Sequence, residues 1–162
     1  MRGRVWVFGD NIDTDVILPG KYLTITDYKD LGRHAMEGVD PEFPRKVKQG
    51  DIIVAGRNFG CGSSREHAAI AIKYSGVSAV LAESFARIFF RNAINIGLPV
   101  MRCPGIRERV KEGDVIEVDF LRGVVTLPDG STITCEKLPE RLLEVVASGG
   151  LIEYLAKKGG EI

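Results

Sequence analysis

The chain has 162 residues, of which 44% are hydrophobic and 27% are charged, a composition typical of one globular domain. Lysine plus arginine and aspartate plus glutamate both total 22, so the net charge of zero gives no electrostatic reason to expect a nucleic acid or a membrane as partner. The apolar runs are too short to span a bilayer, and the N-terminus lacks the core of a signal peptide. We therefore expect a single cytoplasmic domain over residues 1–162.

The first half of the chain alternates strands with helices. A strand at Arg4–Phe8 ends in the turn-rich segment Gly9–Asp15, and a buried strand at Asp51–Gly56 precedes a helix from about Ser64 to Tyr74. The alternation continues with a strand, a helix and a strand at Val77–Ser84, Phe85–Ile96 and Leu98–Cys103. This succession predicts parallel strands with helices packed against the sheet.

The second half has a different pattern. Three short strands separated by tight turns predict an antiparallel meander, at Val115–Phe120, Gly123–Leu127 and Ser131–Cys135. Two short helices, at Glu140–Ala147 and Leu151–Lys157, are expected to follow. The predicted fold class is α/β, with a partly parallel and partly antiparallel sheet.

The three cysteines are widely spaced, which favours reduced thiols over a disulfide framework. Cys103 and Cys135 are interpreted as an ordinary strand residue and a surface residue. Since no pair has CxxC spacing, this chain alone is not expected to hold zinc or an iron-sulfur cluster.

The segment NFGCGSSREHAAIA, at Asn58–Ala71, concentrates polar chemistry at a predicted helix start. Such a start presents free backbone N–H groups that attract anions, and Arg65 adds a planar donor for a carboxylate or phosphate. Ser63 and Ser64 supply hydroxyls. The alternative is that Ser64 caps the helix, His67 is a helix residue with its hydrogen bonds satisfied, and Arg65 is a surface cation. The spacing fits neither a phosphate-binding P-loop nor a nucleophile elbow.

Three segments resemble one known family. GCGSSREHAA, GDNIDTDVILP and ESFARIFFRNAINIGLPV are similar to the C-terminal domain of aconitase-type hydro-lyases, at Gly60–Ala69, Gly9–Pro19 and Glu83–Val100. In several members this domain is a separate small subunit, and the resemblance is strongest to the small subunits of 3-isopropylmalate dehydratase and homoaconitase. It implies a three-layer β/β/α swivelling domain.

The resemblance also implies a partner and a reaction. The partner is a large subunit that carries a [4Fe-4S] cluster, in a heterodimer or heterotetramer, while this chain binds no cluster itself. The substrate is a small 2-hydroxy di- or tricarboxylate, and self-association is an option for the isolated chain. Alternatives are homoaconitase or dual-specificity activity, a non-catalytic anion-binding module, and a cysteine-dependent enzyme that uses Cys61 with His67.

Family roles are transferred by motif position. Ser63 matches the general base, acting as an alkoxide, and Ser64 and Arg65 match residues that hold a substrate carboxylate. Asp15 matches an aspartate that orients the site, whereas Asp13 is interpreted as the cap of a turn. No role is assigned to His67.

The segment YLTI, at Tyr22–Ile25, bears on substrate choice. Homoaconitase-type members resemble YLRT here, with an arginine for the extra carboxylate. This chain has Thr24 at that position and Ile25 beside it, so the resemblance predicts contacts of Thr24 and Ile25 with an uncharged side group. Isopropylmalate is therefore the expected substrate.

Overall fold

The computed structural model describes residues 1–63 and 65–159. Within these residues, seven strands form one sheet in the order β4-β3-β2-β1-β5-β6-β7. The strands are β1 Arg2–Val7, β2 Ile52–Ala55, β3 Ala79–Ala82, β4 Val100–Arg102, β5 Val115–Asp119, β6 Val124–Thr126 and β7 Thr132–Thr134. The helices are α1 Thr14–Ile17, α2 Tyr28–Gly32, α3 Phe43–Lys46, α4 His67–Tyr74, α5 Arg87–Asn95, α6 Glu140–Ala147 and α7 Leu151–Gly159.

The parallel half of the sheet comprises β1 to β4, as the alternation of strands and helices predicted. Every residue of β2 and of β3 is buried. Along β2, Ile53 and Ala55 face the helical layer, whereas Ile52 and Val54 face the opposite layer. Strands covered on both faces consist of continuous apolar runs, which explains why these segments were predictable from sequence.

The antiparallel half supplies a second sheet layer. Strand β5 pairs with β1, and β6 and β7 follow as the predicted meander. Strand β5 alternates exposed and buried residues, with Ile116 and Val118 inside. These side chains pack against the β2 face that bears Ile52 and Val54, so the antiparallel layer, the parallel layer and the helices form three successive layers. The mixed α/β fold predicted from sequence is confirmed.

The sheet is curled so that its two ends meet. Arg102, at the end of β4, forms an antiparallel bridge with Glu136, which follows β7. The Arg102 Nη1 and Glu136 Oε2 atoms lie 2.7 Å apart. This contact joins the first and last strands of the sheet order and leaves an apolar interior between the layers.

The helices differ from the prediction mainly at their starts. Helix α4 begins at His67 rather than near Ser64, and its N-cap residue Glu66 makes no side-chain capping bond. Helix α5 begins at Arg87 rather than at Phe85, and Ile88 in its first turn is 45% exposed. Helices α6 and α7 lie where they were predicted. Over residues 1–63 and 65–159, no helix is long and apolar enough to cross a membrane.

Candidate functional site

Two loops continue side by side beyond the carboxyl ends of β1 and β2. The amide of Gly60 donates to the carbonyl of Ile12 (2.7 Å), and the amide of Thr14 donates to the carbonyl of Cys61 (2.8 Å). Gly62 has φ of 103°, and a Cβ there would lie 3.2 Å from Thr14 Oγ1. Because L residues rarely adopt this φ, glycine is required where the second loop turns toward the first.

The hydroxyl of Ser63 lies at the centre of this loop pair. Thr14 Oγ1 donates to Ser63 Oγ (3.2 Å) and accepts from the Ser63 amide (3.0 Å). The amide of Arg65 also donates to Ser63 Oγ (3.4 Å). Two donors therefore converge on an exposed serine oxygen, and donors aimed at an oxygen favour its negatively charged form.

A cavity of about 200 Å³ opens beside Ser63. Acidic, basic, hydroxyl and apolar side chains contribute to its walls, together with one glycine. The lining residues are Asp13, Thr14, Asp15, Leu18, Leu23, Gly62, Ser63, Arg65, His67 and Ala68. The structure thus brings together three of the predicted site residues, Asp15, Ser63 and Arg65, although their roles stay predictions.

Arg65 and His67 are the basic side chains of the cavity wall. The guanidinium of Arg65 is exposed and has no ion-pair or hydrogen-bond partner among the described residues. His67 Nδ1 is buried and likewise has no partner within residues 1–63 and 65–159. Both side chains therefore keep unused hydrogen-bonding capacity next to Ser63. Ser64, the second predicted carboxylate ligand, lies outside the described residues.

The two aspartates of the first loop organise backbone. Asp13 Oδ1 accepts from the amides of Asp15 (2.8 Å) and Val16 (3.0 Å) and so caps α1, as interpreted from sequence. Asp15 Oδ1 accepts from the amide of Gly20 (3.1 Å), at the start of the 3-10 helix Gly20–Tyr22. Asp15 therefore holds the segment that leads to Leu23 next to the cavity. Among the described residues, no hydrogen bond joins Asp15 to Ser63.

The predicted specificity residues lie beside the cavity rather than in its wall. Thr24 is exposed, and Ile25 is half-buried against the helical core. The large apolar side chains that line the cavity are Leu23, which precedes Thr24, and Leu18, which is 2% exposed. A contact with a substrate side group is thus supported by geometry for Leu18 and Leu23, and it remains a prediction for Thr24 and Ile25.

A polar cluster anchors the segment that carries Leu23. The rings of Tyr22 and His34 stack with centroids 3.7 Å apart. Both side chains bond to Glu37: Tyr22 Oη donates to Oε1 (2.9 Å), and His34 Nδ1 lies 2.6 Å from Oε2. Burial opposes ionisation of Glu37, but the bonds from His34 and Tyr22 prevail and lower its pKa. His34 therefore helps to fix one wall of the cavity.

Cys61 does not have the environment of a nucleophile. Burial and the negative charge of Asp13 raise the pKa of the Cys61 thiol, and Cys61 does not line the cavity. Since the thiolate is the reactive form, this geometry argues against a cysteine-dependent enzyme.

Within the described part of the chain, no group of three or more His, Cys, Asp and Glu side chains could hold a metal ion, so these residues do not fit an iron-sulfur cluster.

Thr14, Leu18 and Leu23 were missed as site residues by sequence reasoning. Thr14 stands between Asp13 and Asp15, and these two were considered as site residues instead because carboxylates have catalytic roles more often than a threonine hydroxyl does. The signal that could have revealed it is its place in a loop following β1, because carboxyl ends of neighbouring parallel strands meet at one edge of a sheet.

Fold and site together define a class: an α/β domain that presents a serine oxygen, an arginine and an apolar wall at the ends of parallel strands. The family model described as aconitase C-terminal domain matches residues 8–104. The chain therefore belongs to the aconitase C-terminal domain family.

Individual relatives match over nearly the full length. The 3-isopropylmalate dehydratase small subunit of Pyrobaculum calidifontis is 59% identical, with 98% of each chain covered. The isopropylmalate/citramalate isomerase small subunit of Methanocaldococcus jannaschii is 55% identical, covering 99% of this chain and 96% of that one. A crystal structure described as 3-isopropylmalate dehydratase from the same organism superposes with a TM-score of 0.92 at 50% identity, covering 98% and 94% of the two chains.

Proposed function

We propose that this chain is the small subunit of a 3-isopropylmalate dehydratase. The enzyme interconverts 2-isopropylmalate and 3-isopropylmalate by removing and re-adding water, a step of leucine biosynthesis. The observation that carries the proposal is the Ser63 oxygen, which receives two donors at the edge of a cavity that is also lined by Arg65. Full-length relatives with this name support it.

Ser63 is proposed to take the proton from the carbon next to a substrate carboxylate. A serine hydroxyl is a very weak base in water, so it needs surroundings that stabilise its alkoxide. The hydroxyl of Thr14 and the amide of Arg65 supply two donors to Ser63 Oγ. The guanidinium of Arg65 adds positive charge at the same cavity wall.

Arg65 is proposed to hold a substrate carboxylate. Its guanidinium has no partner among the described residues and can form two parallel hydrogen bonds to a carboxylate. Ser64, which precedes it in the chain, is proposed to add a hydroxyl to the same group. Asp15 keeps the role of orienting the site, through its bond to the amide of Gly20.

The charges of the cavity wall support the need for a second subunit. A dicarboxylate substrate carries two negative charges, whereas the described wall contains two aspartates, one arginine and one histidine. Like charges repel across a cavity of this size, so further cationic groups are required. We propose that a large subunit supplies them together with a [4Fe-4S] cluster, which as a Lewis acid would assist loss of the substrate hydroxyl.

Two other substrates are related to this proposal. One relative is named for citramalate as well as isopropylmalate, and the homoaconitase resemblance points to a tricarboxylate. Leu18 and Leu23 favour an apolar side group, because an unpaired carboxylate against such a wall would be poorly solvated. Isopropylmalate is therefore the preferred substrate, and some homocitrate-type activity is a secondary candidate.

The first prediction concerns dependence on the partner. The purified chain alone should fold but show no hydratase activity, because the described residues provide a base and an arginine but no Lewis acid. Co-expression with the large subunit from the same genome should give activity in an anaerobic ultraviolet assay of double-bond formation. Turnover by the isolated chain would contradict the proposal, as would an inactive but fully cluster-loaded complex.

The second prediction tests the hydroxyl of Thr14. Thr14→Val removes the donor to Ser63 Oγ with little change in side-chain shape, so kcat of the complex should fall by about 10- to 100-fold, the usual value of a hydrogen bond to a charged group. Thr132→Val, on an exposed position of β7, is the matched control and should leave kcat unchanged. If both variants behaved alike, Thr14 would have no part in activating Ser63.

A further inference from the structure

The two thiols other than that of Cys61 lie together at the seam of the sheet, where the bridge between Arg102 and Glu136 joins the ends of β4 and β7. Cys103 directly follows β4, and Cys135 directly follows β7, with 0% and 9% exposure. Both side chains belong to the apolar interior between the two sheet layers. The interpretation of Cys135 as a surface residue is therefore wrong, because the strand that carries it turns this position inward at the seam of the sheet.

The register of the seam places the two cysteines opposite each other. Arg102 pairs with Glu136 in an antiparallel bridge, so the next position pairs Cys103 with Cys135. The amide of Glu136 donates to the carbonyl of Arg102 (2.9 Å) across the seam. In an antiparallel pair, the position next to a hydrogen-bonded pair is a non-hydrogen-bonded one.

Other backbone bonds agree with this assignment. The amide of Cys103 donates to Ala82 on the β3 side (2.8 Å), and the amide of Cys135 donates to Gly123 on the β6 side (2.7 Å). Both amides thus point away from the seam. Residues facing each other at a non-hydrogen-bonded position have Cα atoms about 4.5 Å apart, within the separation that disulfides span.

From this geometry we propose that Cys103 and Cys135 are an intramolecular disulfide site that locks the seam of the sheet. Hydrogen peroxide is the oxidant: one thiol attacks it, which breaks the O–O bond, releases water and forms a sulfenic acid, and the second thiol then displaces a second water as the S–S bond forms. Two electrons pass from the sulfurs to the peroxide.

Cys135 is the thiol that reacts first. It keeps some exposure, whereas Cys103 has none. Cys103 Sγ donates to the carbonyl of Met101 (3.7 Å), and Cys135 Sγ donates to the carbonyl of Ile133 (3.8 Å). Interaction with the neighbouring Cys103 lowers the pKa of Cys135, whereas interaction with Cys135 and burial raise the pKa of Cys103. Cys103 therefore acts as the resolving thiol, held against the sulfur that it must attack.

The disulfide should stabilise the chain, since it joins residues separated by about thirty positions and restricts the unfolded state. Treatment of the full chain with hydrogen peroxide should remove two hydrogens by intact mass and raise the melting temperature by about 10 °C. A linked peptide pair containing Cys103 and Cys135 should appear in a non-reducing digest, and dithiothreitol should reverse each change.

Three variants make the test specific. Cys135→Ala and Cys103→Ala should each abolish both the mass loss and the shift in melting temperature. The control is Cys61→Ala, which removes the half-buried thiol of the loop that follows β2 and should retain both effects. If either seam variant fails to fold, differential alkylation of the wild type after oxidation gives the same answer. Free Cys103 and Cys135 beside an oxidised Cys61, or linked peptides that contain Cys61, would overturn the proposal.

Discussion

Ser63→Ala should reduce turnover of the assembled enzyme by about a hundredfold to ten-thousandfold, the usual effect of removing a positioned general base. The reason is that Ser63 carries the one hydroxyl of the described cavity wall that receives two converging donors. The substitution deletes one atom from an exposed position, so folding and assembly should be preserved. Steady-state kinetics and size-exclusion chromatography of the complex measure the two effects separately.

The kinetic pattern distinguishes a base from a binding group. Loss of the base should lower kcat and kcat/KM together, whereas loss of a ground-state contact would mainly raise KM. Ser131→Ala, in the turn between β6 and β7, is the control, because it removes a serine hydroxyl outside the cavity. Near-normal kcat in Ser63→Ala would show that another group takes the proton.

The parallel half of the fold could be predicted because its central strands are continuous apolar runs. A run such as Ile52–Ala55 is apolar at every position, so burial on both faces follows from composition alone. Helices α1 and α2 were not predicted, since they are only four and five residues long. Side-chain caps at Asp13 and Asp27 mark their starts, whereas hydrophobic periodicity needs longer segments to be detected.

The start of α4 and the seam of the sheet show two further limits. Sequence placed the helix start near Ser64, because small polar residues favour N-caps. The structure starts α4 at His67, and the Ser63 amide bonds to Thr14 on the neighbouring loop. The facing of Cys103 and Cys135 depends on the curl of the whole sheet. Contacts between segments this distant in sequence have no local signal.

The candidate site could be predicted only in part, because only some of its residues are close together in sequence. Ser63 and Arg65 belong to one contiguous motif, so resemblance could identify them together. Leu18 and Leu23 line the cavity because α1 and the following 3-10 helix turn the chain back toward Ser63. Since those two short elements were not predicted, attention fell on Thr24 and Ile25 instead.

Substrate preference should respond most to Leu23 among the residues of YLTI. Leu23 lines the cavity, so Leu23→Ala removes apolar surface that an isopropyl group would contact. A loss of about 1 to 2 kcal/mol corresponds to a decrease of about 5- to 30-fold in kcat/KM for isopropylmalate. Activity on homocitrate should change less, because its carboxylate gains nothing from that surface. The measurement is the ratio of kcat/KM for the two substrates.

Thr24 offers a matched pair of variants at the next position. Thr24→Ala should leave the ratio almost unchanged, because this side chain is exposed and does not line the cavity. Thr24→Arg should shift it toward the tricarboxylate, since a long side chain at the cavity's edge can reach a carboxylate while its stem stays on the surface. By contrast, an arginine at position 23 would replace a leucine packed against the core. If Thr24→Ala altered the ratio as strongly as Leu23→Ala, the wall formed by Leu18 and Leu23 would not be the part of the site that selects the substrate.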